Sequence, residues 1–162
     1  MRLSRALTFL APLAFVACLN GTEPNTFPNI PIESTTFASN LGVNLATSNK
    51  TSSGMYFRDI TAGTGNAVVT GDSVFVYYQG NLSNGQLFDQ LLSGTPFGFK
   101  LGEPGLIAGF NQGLVGMKVD GTRQLIIPPA LAYGSTGYGG IPPNAVLVFT
   151  VTLKAAKPAA GT

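Results

Sequence analysis

Apolar positions along this chain gather into short runs rich in β-branched and aromatic residues, split by polar, glycine-rich breaks. MYFRDIT (Met55 to Thr61) and DSVFVYYQGNL (Asp72 to Leu82) are two such runs, and their composition suits a pleated sheet. TAGTGNAVVTGD between them is turn-rich, and Ser83 to Gly85 makes a tight connection into QLFD. FGFKL, TRQLIIP and AVLVFTVTLK complete the strand candidates. One segment has another period: Ile107, Phe110, Leu114 and Met117 recur at spacings of three, four and three, the apolar face of one short helix. Gly109, Gly113 and Gly116 weaken that helix in isolation but permit close approach to a sheet. The pattern predicts an α+β fold, a curved antiparallel sheet holding a single short helix.

Outside residues 54–154 the pattern dissolves. Residues 18–53 are rich in Asn, Thr, Ser and Pro without a sustained period and read as a flexible tether, with a short strand near Phe37 to Leu45 as the competing reading. Residues 155–162, AAKPAAGT, read as a frayed tail. At the other end, Arg2 and Arg5 precede an apolar run from Ala6 to Ala17 that is too short to span a bilayer, so residues 1–17 read as a secretory signal. The ending FVAC (Phe15 to Cys18) resembles a bacterial lipoprotein signal, in which the cysteine becomes the acylated first residue. That resemblance implies a lipid anchor at Cys18 on an envelope membrane, facing the periplasm. A plain signal peptide, releasing a soluble periplasmic protein, or an unprocessed anchor is the alternative.

Charge and residue counts remove several function classes. The formal net charge of +2 comes from Arg2 and Arg5, and from Cys18 onward seven basic residues face seven acidic ones. Phosphate-backbone binding needs clustered lysine and arginine, so nucleic acid is a poor partner. The single cysteine allows no intrachain disulfide. The chain has no histidine, which excludes Ser-His triads, Cys-His pairs and His-containing zinc sites, and no metal ligands or cofactor requirement are visible. Asp72 and Asp120 sit in Gly-Asp and Asp-Gly turns, Asp59 on an alternating strand and Glu103 in a Gly-Glu-Pro-Gly bend, settings that ordinary structure explains. Gly63 to Gly65 and the glycines after Tyr133 lack the strand-to-helix setting of a nucleotide loop.

What remains is apolar and aromatic, 11 phenylalanines and 5 tyrosines, whose default role is core packing. Among them Asp89 stands alone, flanked by Leu87, Phe88, Leu91 and Leu92. Its setting alone reads as a structural carboxylate bracing a strand-to-loop turn. Composition alone would also allow a β-rich adhesion or carbohydrate-binding domain.

The ordered blocks narrow the choice. VYYQGNLSNGQLFDQ (Val76 to Gln90), PFGFKLG (Pro96 to Gly102), GLIAGFNQGLVGM (Gly105 to Met117) and RQLIIPPALAYGSTGYGGIPPNAVLVFTVTL (Arg123 to Leu153) together resemble the FKBP-type peptidyl-prolyl cis-trans isomerases. The resemblance covers about Gly54 to Lys154. It implies a half-barrel of five or six antiparallel strands wrapped around the helix, with a ligand cleft between helix and sheet. It implies isomerisation of Xaa-Pro bonds in proline-containing polypeptides, binding of macrolide inhibitors, and no cofactor. A non-catalytic peptide-binding module or holdase on the same scaffold is the alternative.

Carried over position by position, the resemblance puts Tyr78, Asp89, Ile107 and Tyr133 at the reacting bond. It makes Phe88, Phe97, Phe99, Leu106, Phe110, Ile141 and Phe149 substrate-binding residues of the pocket, with Phe88, Phe97, Ile107, Phe110 and Phe149 around the proline ring. It also implies that Asp89 accepts a hydrogen bond from Tyr78 and that the Ile107 N–H and Tyr133 hydroxyl hold substrate carbonyls. Phe110 stands where tryptophan is frequent, Tyr138 where histidine is common, and no arginine follows Asp89 in its short loop.

Overall fold

The computed structural model describes residues 27–159. The signal at residues 1–17, Cys18 and the first part of the tether lie outside the described residues, as does the end of the tail. Seven strands and one α-helix follow in the order β1 (Asn49–Lys50), β2 (Tyr56–Thr61), β3 (Ser73–Leu82), β4 (Leu87–Leu91), β5 (Phe97–Lys100), α1 (Ala108–Leu114), β6 (Thr122–Ile127) and β7 (Leu147–Lys157). All pairings are antiparallel, in the spatial order β1-β2-β6-β7-β3-β4, with β5 also on β3. The sheet therefore has seven strands rather than five or six. The additional short strand, β1, comes from the segment read as tether.

Register explains which side chains face the helix. Val76 pairs with Leu153, Tyr78 with Val151, Gly80 with Phe149 and Leu82 with Leu147. Because strand side chains alternate with a period of two, these positions share one face. With Leu125 and Ile127 of β6 they form a core with Phe110, Leu114 and Met117. The helix is shorter than its apolar period suggests: it ends at Leu114, and Met117 lies beyond it yet is buried.

Two of the three glycines act as the sequence implies. A Cβ on Gly109 would lie 2.3 Å from the Ile127 side chain, and one on Gly113 would lie 2.6 Å from Leu125. Gly116 instead has φ of +82° and open space around it, so its role is the turn after the helix. The helix end is capped by Arg123, itself 5% exposed, whose guanidinium donates to the carbonyls of Gly113 and Val115. Asp59 holds that guanidinium from the other side with two hydrogen bonds.

The other face of the sheet is also covered. Ile32 is 3% exposed and packs with Tyr56, Ile126, Val146 and Val148, flanked by Phe37, Leu41, Val43 and Leu45. Residues 32–45 are therefore a strap on the back of the sheet, not a free tether, while Phe27 packs against the main core; near Phe37 to Leu45 the strap forms a 3-10 turn (Ser39–Leu41) rather than a strand. Glu33 secures the strap, accepting from the Lys50 ammonium and the Tyr56 hydroxyl, and these partners lower its pKa to about 2. The Ala38 N–H donates to the Ser83 carbonyl, tying the strap to the β3–β4 turn. At the far end, Ala155 to Lys157 continue β7 against β3, so the tail begins later than its composition suggests.

Candidate functional site

One local irregularity builds the site. Gly80 pairs with Asp89 but Asn81 pairs with Leu87, which leaves Phe88 as an extra residue in β4. Such a bulge re-aims side chains, so the consecutive Phe88 and Asp89 both border the same hollow. Gly80 lies beneath them: a Cβ there would stand 2.7 Å from the Phe88 ring and 2.7 Å from the Phe149 ring. Only a residue without a side chain lets both rings lie over the strand.

The hollow measures about 690 Å³ and opens between the concave face of the sheet and the start of α1. Phe110 and Phe149 form its floor, with ring centroids 5.1 Å apart, at 4% and 6% exposure. The Tyr78 ring meets Phe110 edge-on at 6.0 Å and Phe97 at 6.2 Å, while Phe88 meets Phe149 at 5.4 Å. Leu106 and Ile107 form the helix side of the wall, and Tyr133 borders the hollow from the loop that follows the 3-10 turn Pro129–Leu131.

Nine of the eleven pocket residues expected from sequence line this hollow. Phe99 does not: its ring packs behind Phe97 at 5.2 Å and Phe110 at 6.0 Å, supporting the wall from within. Ile141 is buried in the wall of an adjoining hollow. Gly105, Ala108, Ala132 and Tyr138 line the site without having been singled out for it. Gly80 was missed too, although a glycine inside a β-branched, aromatic run is a readable sign of close approach.

The polar groups sit at the rim. The Tyr78 hydroxyl donates to Asp89 Oδ2 at 2.7 Å. In the register Tyr78 lies opposite Leu91 and Asp89 opposite Gly80, so the pair meets diagonally across β3 and β4. Burial, then the adjacent carboxylate, push the Tyr78 phenol up to about 12. The Tyr133 phenol is raised as well, by burial first and then by Tyr138 and Asp89. Both phenols thus stay protonated donors at neutral pH. Asp89 itself is exposed, as are Leu87 and Leu92, so the greasy enclosure suggested by its sequence neighbours does not form.

Of the donors around the hollow that have no intramolecular acceptor among the described residues, two stand out. Ile107 is the residue before the helix, at φ −60° and ψ 142°; its carbonyl accepts from Phe110 and Asn111 while its N–H is unused. The Tyr133 hydroxyl is the other. The arrangement is a dry aromatic floor with donors and one carboxylate around a wet mouth. Its lining holds no serine, threonine, cysteine or histidine, and no cluster of metal-ligating side chains occurs among the described residues. Its chemistry is to enclose an apolar ring and hold carbonyl groups.

Comparison with known proteins agrees with that geometry. The family model for FKBP-type peptidyl-prolyl cis-trans isomerase matches residues 65–154. FK506-binding protein 4 of Neurospora crassa is 48% identical over 100 residues, which is 62% of this chain and 21% of the fungal one. The FKBP-type isomerase FkpA of Escherichia coli is 46% identical over 112 residues, 68% of this chain and 41% of its own. The chain thus spans about a fifth of the fungal relative and two fifths of the bacterial one. Among solved structures, FkpA superposes with a TM-score of 0.64 at 42% identity, covering 70% of this chain and 53% of FkpA. AtFKBP13 gives 0.63 at 34% identity, covering 68% of this chain and 98% of the other. With the family model spanning more than half of its residues and the aromatic hollow in place, this chain belongs to the FKBP-type peptidyl-prolyl cis-trans isomerases, an enzyme family.

Proposed function

We propose that the hollow binds Xaa-Pro segments and accelerates rotation about their imide bond, assisting the folding of exported proteins. The uncatalysed barrier is about 18–20 kcal/mol because amide resonance must be broken, and no covalent bond is made or cut. Twisting removes C–N double-bond character and much of the amide dipole. Surroundings that solvate the planar form less well than water therefore favour the twisted form. The proline ring lies on the floor formed by Phe110 and Phe149, walled by Phe88, Phe97, Leu106 and Ile107. The Ile107 N–H and the Tyr133 hydroxyl take the carbonyls on either side of the turning bond. The convergence of seven aromatic rings on one hollow, with the Ile107 N–H and Tyr133 hydroxyl unused at its mouth, carries this reading.

Asp89 needs no proton transfer in this scheme. It orients Tyr78 and sets a negative charge beside the planar amide's carbonyl dipole. Because Asp89 is exposed, that charge acts through a water-like dielectric, worth about 1 kcal/mol at contact rather than several. Asp89→Leu should therefore lower kcat/KM for a short Xaa-Pro peptide by roughly fivefold, measured by a protease-coupled assay or NMR exchange. An unchanged kcat/KM would remove Asp89 from the mechanism. A macrolide of the FK506 class should compete for the hollow.

The exposed Phe97 and Tyr138 around the mouth favour a second reading, a peptide-binding module without catalysis. It prevails if the wild-type protein binds the peptide but leaves its isomerisation rate at the solution value. The cellular setting we infer is the envelope, with a lipid on Cys18 holding the domain at a membrane. The basic head, the apolar run Ala6 to Ala17 and the cysteine after it support this. Mass spectrometry of the mature N-terminus should find an acylated Cys18, and Cys18→Ser should leave the membrane fraction. A wild-type protein with unmodified Cys18, or one cleaved elsewhere, removes the anchor.

A further inference from the structure

One edge of β3 is shared by two strands. Tyr78 pairs with Leu91 of β4 and Val76 with Phe97 of β5, so the chain leaves that edge at Leu91 and returns to it at Phe97. Leu92 to Pro96 form the loop between, and Tyr77 has no strand partner on that side. Leu92 is 57% exposed, and Ser93, Gly94 and Thr95 also face water. Gly94 has φ of +83°, and a Cβ on it would meet nothing within 4 Å. Packing therefore contributes little to holding this loop.

A side chain from the other face of the sheet does hold it. The Tyr77 hydroxyl donates to the Gly94 carbonyl at 2.6 Å, the one side-chain hydrogen bond that reaches residues 92–96 among the described residues. Tyr77 is opposite Thr152 in the register, and its side chain lies on the face away from Tyr78, so it lines no part of the aromatic hollow. It borders instead a small hollow on the convex side, together with Leu92 and Thr152. Three residues beyond Gly94 comes Phe97, whose 37% exposed ring is a wall of the aromatic hollow, edge-on to Tyr78 at 6.2 Å. Phe97 is also the first residue of a four-residue strand. A ring so placed takes its position from the chain that leads into it.

We propose that Tyr77 is a positioning residue for the proline site. Its hydroxyl hooks the loop at Gly94 and so fixes how Phe97 meets the bound ring, from a face of the sheet that the substrate never touches. The inference rests on the reading of the aromatic hollow as the proline site. Phe97 encloses the proline in the planar and the twisted forms alike. Displacing it weakens both by the same amount, which raises KM and leaves kcat unchanged. Loss of one hydrogen bond corresponds to about two- to tenfold in an equilibrium, which is the size of effect expected.

The test uses the full chain and a short peptide with one proline, in wild type, Tyr77→Phe, Phe97→Ala and the double variant. Turnover is followed by NMR exchange and affinity by titration. Tyr77→Phe removes only the hydroxyl, and should raise KM about two- to tenfold while kcat stays within about twofold. In the Phe97→Ala background the same change should move KM by less than about twofold, because no ring is left to place. KM does not depend on the folded fraction, so a partly misfolded variant gives the same answer. The role is overturned if Tyr77→Phe raises KM by less than about twofold or if the loss falls on kcat. It is overturned equally if the rise in KM is undiminished without the Phe97 ring, which would make Tyr77 a residue of the general fold. If wild type binds the peptide without turning it over, the isomerase reading falls, and the same ratios taken on the dissociation constant decide Tyr77. Turnover with a KM indifferent to Tyr77→Phe does the reverse.

Discussion

The two faces of one sheet have been closed to different degrees. On the concave side, α1 has seven residues, a length of about 10 Å, set against a β3 of ten residues that runs about 33 Å. The helix therefore covers only part of that face. Its glycines draw it down onto Leu125 and Ile127, and the uncovered remainder is the aromatic hollow. On the convex side, residues 32–45 lie along the sheet and leave Ile32, Ile126, Val146 and Val148 nearly inaccessible. The same pleat thus yields a binding site where its cover is short and a plain core where its cover is long. Function sits where burial is incomplete.

The largest effect should come from the residue serving both purposes on the concave side. Phe149→Ala should cost about 3–5 kcal/mol in urea unfolding and also abolish tight peptide binding, since Phe149 is floor and core at once. Full stability with lost affinity would make it a pocket wall alone. Ile32→Ala is the matching experiment on the convex side. It should cost about 2–4 kcal/mol while leaving kcat/KM within about twofold. A loss under about 0.5 kcal/mol would mean the strap is not part of the core, and the comparison fails.

A smaller stability loss with a large kinetic one is expected at the seam between the faces. Gly80→Ala puts a Cβ 2.7 Å from the Phe88 and Phe149 rings, so it should cost about 1–3 kcal/mol and lower kcat/KM by displacing both. Unchanged kinetics would show that the rings have room to move. The smallest effect is a pH dependence of the strap. Glu33 has its pKa lowered from 4.5 to about 2, chiefly by the hydrogen bond from Lys50 and then by that from Tyr56. A depressed folded pKa means that its stabilising contribution is complete above pH 4.5 and lost as pH falls through about 2. Glu33→Gln should lower Tm slightly at pH 7, and the difference from wild type should shrink at acid pH. A constant difference across that range would remove the ionised carboxylate from the latch.

Much of the concave side was legible in the amino-acid order. The β-branched runs became β2, β3, β6 and β7, and the three-four-three spacing became α1 with its apolar face inward. The convex side was misread, though a signal for it was present. Leu125, Ile126 and Ile127 are consecutive and all buried, as are Val146 to Phe149. A strand apolar on both faces needs a cover on both, and a free tether would have left Ile126, Val146 and Val148 in water. The polar composition of residues 27–48 hid the few apolar side chains, Ile32, Phe37, Leu41 and Leu45, that do the covering.

Sequence alone determined which residues were available to the site and which chemistries were closed to it, because composition and period are properties of the chain by itself. Tertiary structure decided the rest: that Phe99 supports Phe97 rather than lining the hollow, that Ile141 belongs with an adjoining hollow while Tyr138 borders both, and that Asp89 meets water. Those outcomes depend on a one-residue bulge at Phe88 and on how much of each face is covered. Both are set by contacts between segments far apart in the chain, and no local spacing encodes them.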